Sequence, residues 1–120
     1  MKNFKSLMVW QKSMTLAKLT YQIAAKLPPE EKFALGLQIM KASTSIPANI
    51  AESAGRTGAS QNLFLSYALG SAFELETELL LIKELYQDQM PLAETGLQLL
   101  DEVQKMLISY QKKLRSTSGK

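Results

Sequence analysis

The chain reads as an all-α protein, an antiparallel up-and-down four-helix bundle, and three observations predict it. Leu27-Pro28-Pro29, Gly55-Arg56-Thr57-Gly58 and Gln89-Met90-Pro91 cut the 120 residues into four segments, each cut joining Gly or Pro to polar neighbours. All four segments repeat apolar residues at helical spacing, and none alternates as a strand would. The connections are short, which favours up-down-up-down neighbours.

In the first segment Leu7, Trp10, Met14, Ala17, Tyr21 and Ala24 form the expected inner stripe. The second carries Phe33, Leu35, Leu37, Ile39, Ala42, Ile46 and Ile50, with Pro29, Glu30 and Glu31 suited to its first turn. Pro47 lies inside it. Proline lacks an N–H and its ring meets the carbonyl four residues back, so a continuous helix kinked between Ser43 and Pro47 is expected. Ser43, Thr44 and Ser45 can satisfy the freed carbonyl locally. The third segment repeats Leu65, Ala68, Ala72, Leu75, Leu79, Ile82 and Tyr86, with Ser60 as its expected N-cap. The fourth repeats Ala93, Gly96, Leu100, Val103, Leu107, Tyr110 and Leu114. The bundle domain is placed at 1–115, with 116–120 as a tail.

Two helices have too little polar surface for a monomer. At about 100° per residue, Leu16, Leu19 and Ile23 point away from the first stripe, and Leu81 and Leu85 away from the third. A patch of that kind is seldom left open to water, and these loops are too short to cover it. Self-association is therefore expected, with Leu16, Leu19, Ile23, Leu81 and Leu85 at the oligomer interface.

Composition narrows the chemistry. Apolar residues make up 46% and charged residues 21%, as in an ordinary globular domain. With no Cys and no His, disulfides, thiolate zinc sites and the Glu-x-x-His di-iron arrangement are excluded. No grouping of carboxylates, Lys, Ser or Tyr suggests acid–base or nucleophilic catalysis, and no glycine-rich phosphate loop occurs. No enzyme activity, metal or cofactor is expected. No apolar run approaches the about 20 residues of a membrane span, and none at the start resembles a signal peptide, so a cytoplasmic location without membrane contact is expected.

Charge is unevenly spread. No acid occurs before Glu30, whereas Lys2, Lys5, Lys12, Lys18 and Lys26 do. The third segment is acidic, and Lys112, Lys113, Arg115 and Lys120 close the chain. Antiparallel packing brings the two basic ends together, where they would either contact phosphate backbones or form a solvated end. Asn49 and Glu52, just past Pro47, would bind a ligand or clamp neighbouring groups through Ser45 or Arg56; the need to pair buried polar groups favours clamping. Glu76 would find a cation in Lys41, Arg56 or a neighbouring subunit, and Glu74 with Glu78 would line a solvated or inter-subunit face.

Three strings carry a family resemblance. They are Phe4…Leu7-x-Val9-Trp10-Gln11-Lys12, then Gln38-Ile39-x-Lys41-Ala42-x-x-Ser45-Ile46-Pro47-Ala48-Asn49-Ile50-Ala51-Glu52, then Phe64-Leu65-x-x-Ala68-x-Gly70-Ser71-x-x-Glu74-Leu75-Glu76-Thr77. The chain resembles the four-helix bundle proteins of the 23S ribosomal RNA intervening-sequence family over nearly its whole length. Met40-Lys41 stands where that family often has two arginines. The resemblance implies a ring-shaped homopentamer without catalysis. It also implies contact with RNA or DNA and a protein partner such as a reverse transcriptase; the charge distribution offers Lys5, Lys12, Lys41, Arg56, Lys112, Lys113 and Arg115 as the candidate nucleic-acid-binding residues. The structural polar motif is Ser45, Pro47, Asn49, Glu52 and Glu76. The competing reading is a protein-interaction scaffold in which nucleic acid plays no part.

Overall fold

The structure, a computed structural model, describes residues 3–118, with the side chains of Met90 and Ser118 left aside. Lys2 and Lys120 of the basic ends, and Gly119 and Lys120 of the expected tail, lie outside it. Four helices follow one another: α1 (Met8–Lys26), α2 (Leu35–Ala54), α3 (Gly58–Leu85) and α4 (Met90–Ser118). They pack into a rod of 51 × 20 × 20 Å. α1 packs on α2 and α4, and α3 packs on α2 and α4.

Cross-helix bonds give the direction of packing. Gln111 of α4 reaches Asn62 and Ser66 of α3, Gln104 reaches Glu76, and Glu94 meets Lys83. Between α1 and α4, Lys12 meets Glu102, and the Lys26 carbonyl accepts from Gln89 in the turn just before α4. Numbers rise along one helix as they fall along the other, so these neighbours run antiparallel. The start of α1, the α2–α3 connection and the end of α4 therefore share one end of the rod.

The core is layered aliphatic packing. Leu16 and Ile23 of α1, Ile39, Ile46 and Ile50 of α2, Leu65, Leu75, Leu79 and Ile82 of α3, and Val103 and Leu107 of α4 are fully buried. The stripes of α3 and α4 coincide with the sequence pattern. That of α1 does not: its inner face is Val9, Ser13, Leu16, Ala17, Thr20 and Ile23, while Met14 and Tyr21 are exposed. Two buried hydroxyls explain the difference. Ser13 Oγ donates to Trp10 O and Thr20 Oγ1 to Ala17 O, so each meets its own helix and can sit inward.

Local differences appear at three termini. Pro29–Glu31 form a separate 3₁₀ turn, and α2 begins only at Leu35, leaving Phe33 81% exposed. Gly36 is the reason for the tight turn, because a Cβ there would lie 2.9 Å from Glu31 O. α3 starts at Gly58, whose φ of 58° suits glycine, so Ser60 does not cap it but accepts from Arg56 instead. α4 continues through residues 116–118 where a tail is expected, its Ser116 and Thr117 hydroxyls donating to Lys113 O. α2 runs unbroken through the buried Pro47, and Thr44 Oγ1 donates to Met40 O and Lys41 O just before it.

Candidate nucleic-acid and assembly surfaces

The shared end of the bundle is basic because of how the chain is arranged. No acid precedes Glu30, and none follows Glu102 in α4. Leu7, Met8 and Val9 face Met106, Tyr110 and Lys113 across a surface cleft of about 480 Å³, with Lys105 beside it. Gly58 and Gln61 lie against Leu114 and Thr117. Lys5, Arg56, Lys112, Lys113 and Arg115 thus belong to one end, and all are exposed. Among the described residues, Lys5, Lys112, Lys113 and Arg115 form no ion pair. At the C-terminus of α4 the last three also face the negative end of the helix dipole.

Two other cations of the predicted set, Lys12 and Arg56, are engaged. Lys12 binds Glu102 at 3.1 Å. Arg56 binds Glu52 at 2.9 Å, donates to Ser60 and lies over the Phe64 ring at 4.3 Å. Lys41 stands apart on the exposed side of α2. Lys105 is the addition that sequence reasoning misses. It sits on α4 between Asp101 and the cleft, and the hydrogen bond and charge of Asp101 hold its ammonium above the ordinary lysine value.

The polar motif around Pro47 is internally paired. Ser45 Oγ and Ser71 Oγ lie 2.8 Å apart, linking α2 to α3. Asn49 Nδ2 donates to Ser45 O at 2.8 Å and to Ser45 Oγ at 3.0 Å. Glu76 accepts from Gln104 Nε2 at 2.9 Å, so its partner is a neutral amide of α4 and neither Lys41 nor Arg56. The Ser45–Ser71 and Gln104–Glu76 contacts fasten helices together, and the Asn49 bonds hold Ser45 in place within α2.

Glu78 departs from the sequence reading. It is 6% exposed, in the bundle and not on a solvated face, and its Oε1 has no hydrogen-bond partner. Burial above all, then the charge and hydrogen bond of Glu74, push its carboxyl up from 4.5 to about 7. No signal in sequence separates this glutamate from its neighbours, because α3 is apolar nearly all round. Among the described residues no three His, Cys, Asp or Glu side chains converge on a potential metal position.

The expected oligomer interface divides. Leu16 and Ile23 are fully buried inside their own bundle, and Leu19 is half-buried against it, near Gly96. The rotation of α1 that turns Ser13 and Thr20 inward carries these leucine and isoleucine positions with it. Leu81 and Leu85 are 44% and 61% exposed, on an outward α3 stripe with Leu63 and Tyr67. A second apolar surface replaces the α1 residues. Trp10, Met14, Ala17, Lys18 and Tyr21 of α1 and Thr44, Pro47, Ala48 and Ala51 of α2 line an open groove of about 570 Å³.

No described helix is long and apolar enough to cross a membrane. A comparison with curated proteins finds no match. Among solved structures, the chain is similar to a crystal structure of a protein of unknown function from the S23 ribosomal protein family of Bacteroides thetaiotaomicron. The two share 29% identity over 87% of this chain and 98% of that one, with a TM-score of 0.77. The family model for the 23S rRNA-intervening sequence protein matches residues 5–109. With four helices, the Ser45-to-Glu52 motif and a match across most of its length, this chain belongs to the 23S rRNA-intervening sequence protein family.

Proposed function

We propose that the chain works in the cytoplasm as a non-enzymatic homo-oligomer, a pentamer by analogy with its family, that holds RNA or DNA through its basic ends. The observation that carries this reading is the set of cations at one end of the rod, Lys5, Lys112, Lys113 and Arg115, with no carboxylate paired to them among the described residues. One such end attracts phosphate only weakly. Several copies held side by side multiply it into a continuous positive rim, which gains affinity by releasing counterions from the nucleic-acid backbone. The family's connection with ribosomal RNA agrees with a phosphate-bearing partner. Base-specific reading is not part of the proposal, since the sequence carries no RNP-type aromatic signature.

Fluorescence-anisotropy titration of a structured RNA between about 50 and 200 mM salt tests it. Affinity should fall steeply with salt, and the triple substitution Lys112→Glu, Lys113→Glu, Arg115→Glu should abolish binding while leaving helix content unchanged. Absence of binding at the lowest salt would sink the reading.

A further inference from the structure

An oligomer of this chain can be joined through more than one pair of surfaces. Building on the oligomeric reading, we propose that the groove between α1 and α2 receives the outward stripe of α3 from a second copy, so that copies join head to tail.

Shape supports this pairing first. The groove has a floor of small groups, Ala17, Pro47 and Ala51, between the larger Trp10, Met14 and Tyr21. The α3 stripe offers Leu63, Tyr67, Leu81 and Leu85 as ridges, all more than two-fifths exposed. At its middle Gly70 leaves the backbone uncovered, with nothing within 4 Å of where a Cβ would sit, so a second helix can approach closely. The groove runs from Trp10 to Tyr21, about 17 Å along α1, so it can take roughly half of the about 33 Å between Leu63 and Leu85.

Charge then decides between the two ways of joining copies. Lys18 on the groove and Lys41 beside it are exposed without an ion pair among the described residues. Glu74 and Glu84 on α3 are exposed and likewise without one. A two-fold contact, groove on groove or stripe on stripe, would set lysine against lysine or glutamate against glutamate. The head-to-tail contact sets lysines against glutamates. Because α1 and α2 build one surface and α3 the other, every copy carries both halves, which yields a ring or an open chain.

Two exposed positions test this: Ala48→Arg fills the groove and Leu81→Arg spoils the stripe, with circular dichroism checking that both stay folded. Sedimentation velocity should show wild type as a multiple of the chain mass and each variant as one chain. Mixing the variants should restore a one-to-one heterodimer, since the stripe of one and the groove of the other remain intact. A second pair of variants reads charge: Lys18→Glu with Lys41→Glu should weaken association by about tenfold or more, and adding Glu74→Lys with Glu84→Lys should restore it. A wild-type oligomer whose mass survives both arginine substitutions overturns the pairing but leaves the oligomer reading intact; it would also mean the groove serves another occupant. Monomeric variants that fail to combine point to a two-fold contact and overturn it as well. A wild type that is a single chain at every concentration defeats the oligomer reading itself.

Discussion

Thr20 and Ser43 meet where α1 packs on α2, both fully buried, with their hydroxyl oxygens 2.6 Å apart. Thr20 donates to Ala17 O, and the Ser43 hydroxyl has Thr20 and Met40 O within reach, so neither side chain leaves a polar group unpaired. A hydroxyl satisfied in this way packs like a small apolar group, and that is why polarity alone misplaces the inner face of α1. The consequence can be measured. Leu16→Ala, at a fully buried position, should cost about 2–5 kcal/mol of stability, whereas Leu81→Ala should change the stability of the fold by less than about 1 kcal/mol while weakening association. Chemical denaturation and sedimentation separate the two effects. Glu78 supplies a pH signature. The folded chain keeps its proton up to about pH 7, while the unfolded chain releases it near 4.5, so stability falls as pH rises through that window and levels off above it. Glu78→Gln should remove the slope and raise stability at pH 8 by on the order of 2 kcal/mol, with little change at pH 4. Denaturant midpoints across pH check the sign.

At the scale of elements, α3 and α4 were readable because their buried faces are almost all Leu, Ile, Val, Ala and one Gly, with no Ser or Thr turned inward and only Glu78 and Gln111 as polar exceptions. The outset of α2 was not. Pro29 followed by Glu30 and Glu31 has the composition of a helix's first turn, yet the chain closes a 3₁₀ turn there and restarts at Leu35. The decisive residue is Gly36, which matters for an absent side chain, a property no periodicity count registers. Gly36→Ala pushes a Cβ against a backbone oxygen 2.9 Å away and should destabilise by about 1–3 kcal/mol. Gly58 is the opposite case, with open space around it but a φ of 58°. Gly58→Ala should cost about 1 kcal/mol, all of it conformational. Thermal unfolding of both variants checks the ranking.

For the whole molecule, the basic end was legible from chain order alone, since antiparallel packing must bring the start of α1 to the end of α4. Partners were less so. Lys12 finds Glu102 ninety residues away, and Glu76 finds Gln104 across the α3–α4 seam, pairings that only the folded register sets. The apolar surplus was legible as a quantity but not as a location. Leu16 and Ile23 went inward, and Trp10, Met14 and Tyr21 became the wall of an open groove in their place. What survives is a bundle that satisfies its own core and still leaves leucines, tyrosines and a groove in water. Light scattering on the purified chain in dilute neutral buffer tests that most directly. A folded species near five times the 13.4 kDa of one chain is the predicted result. A stable, helical species of 13.4 kDa at every concentration would contradict the account.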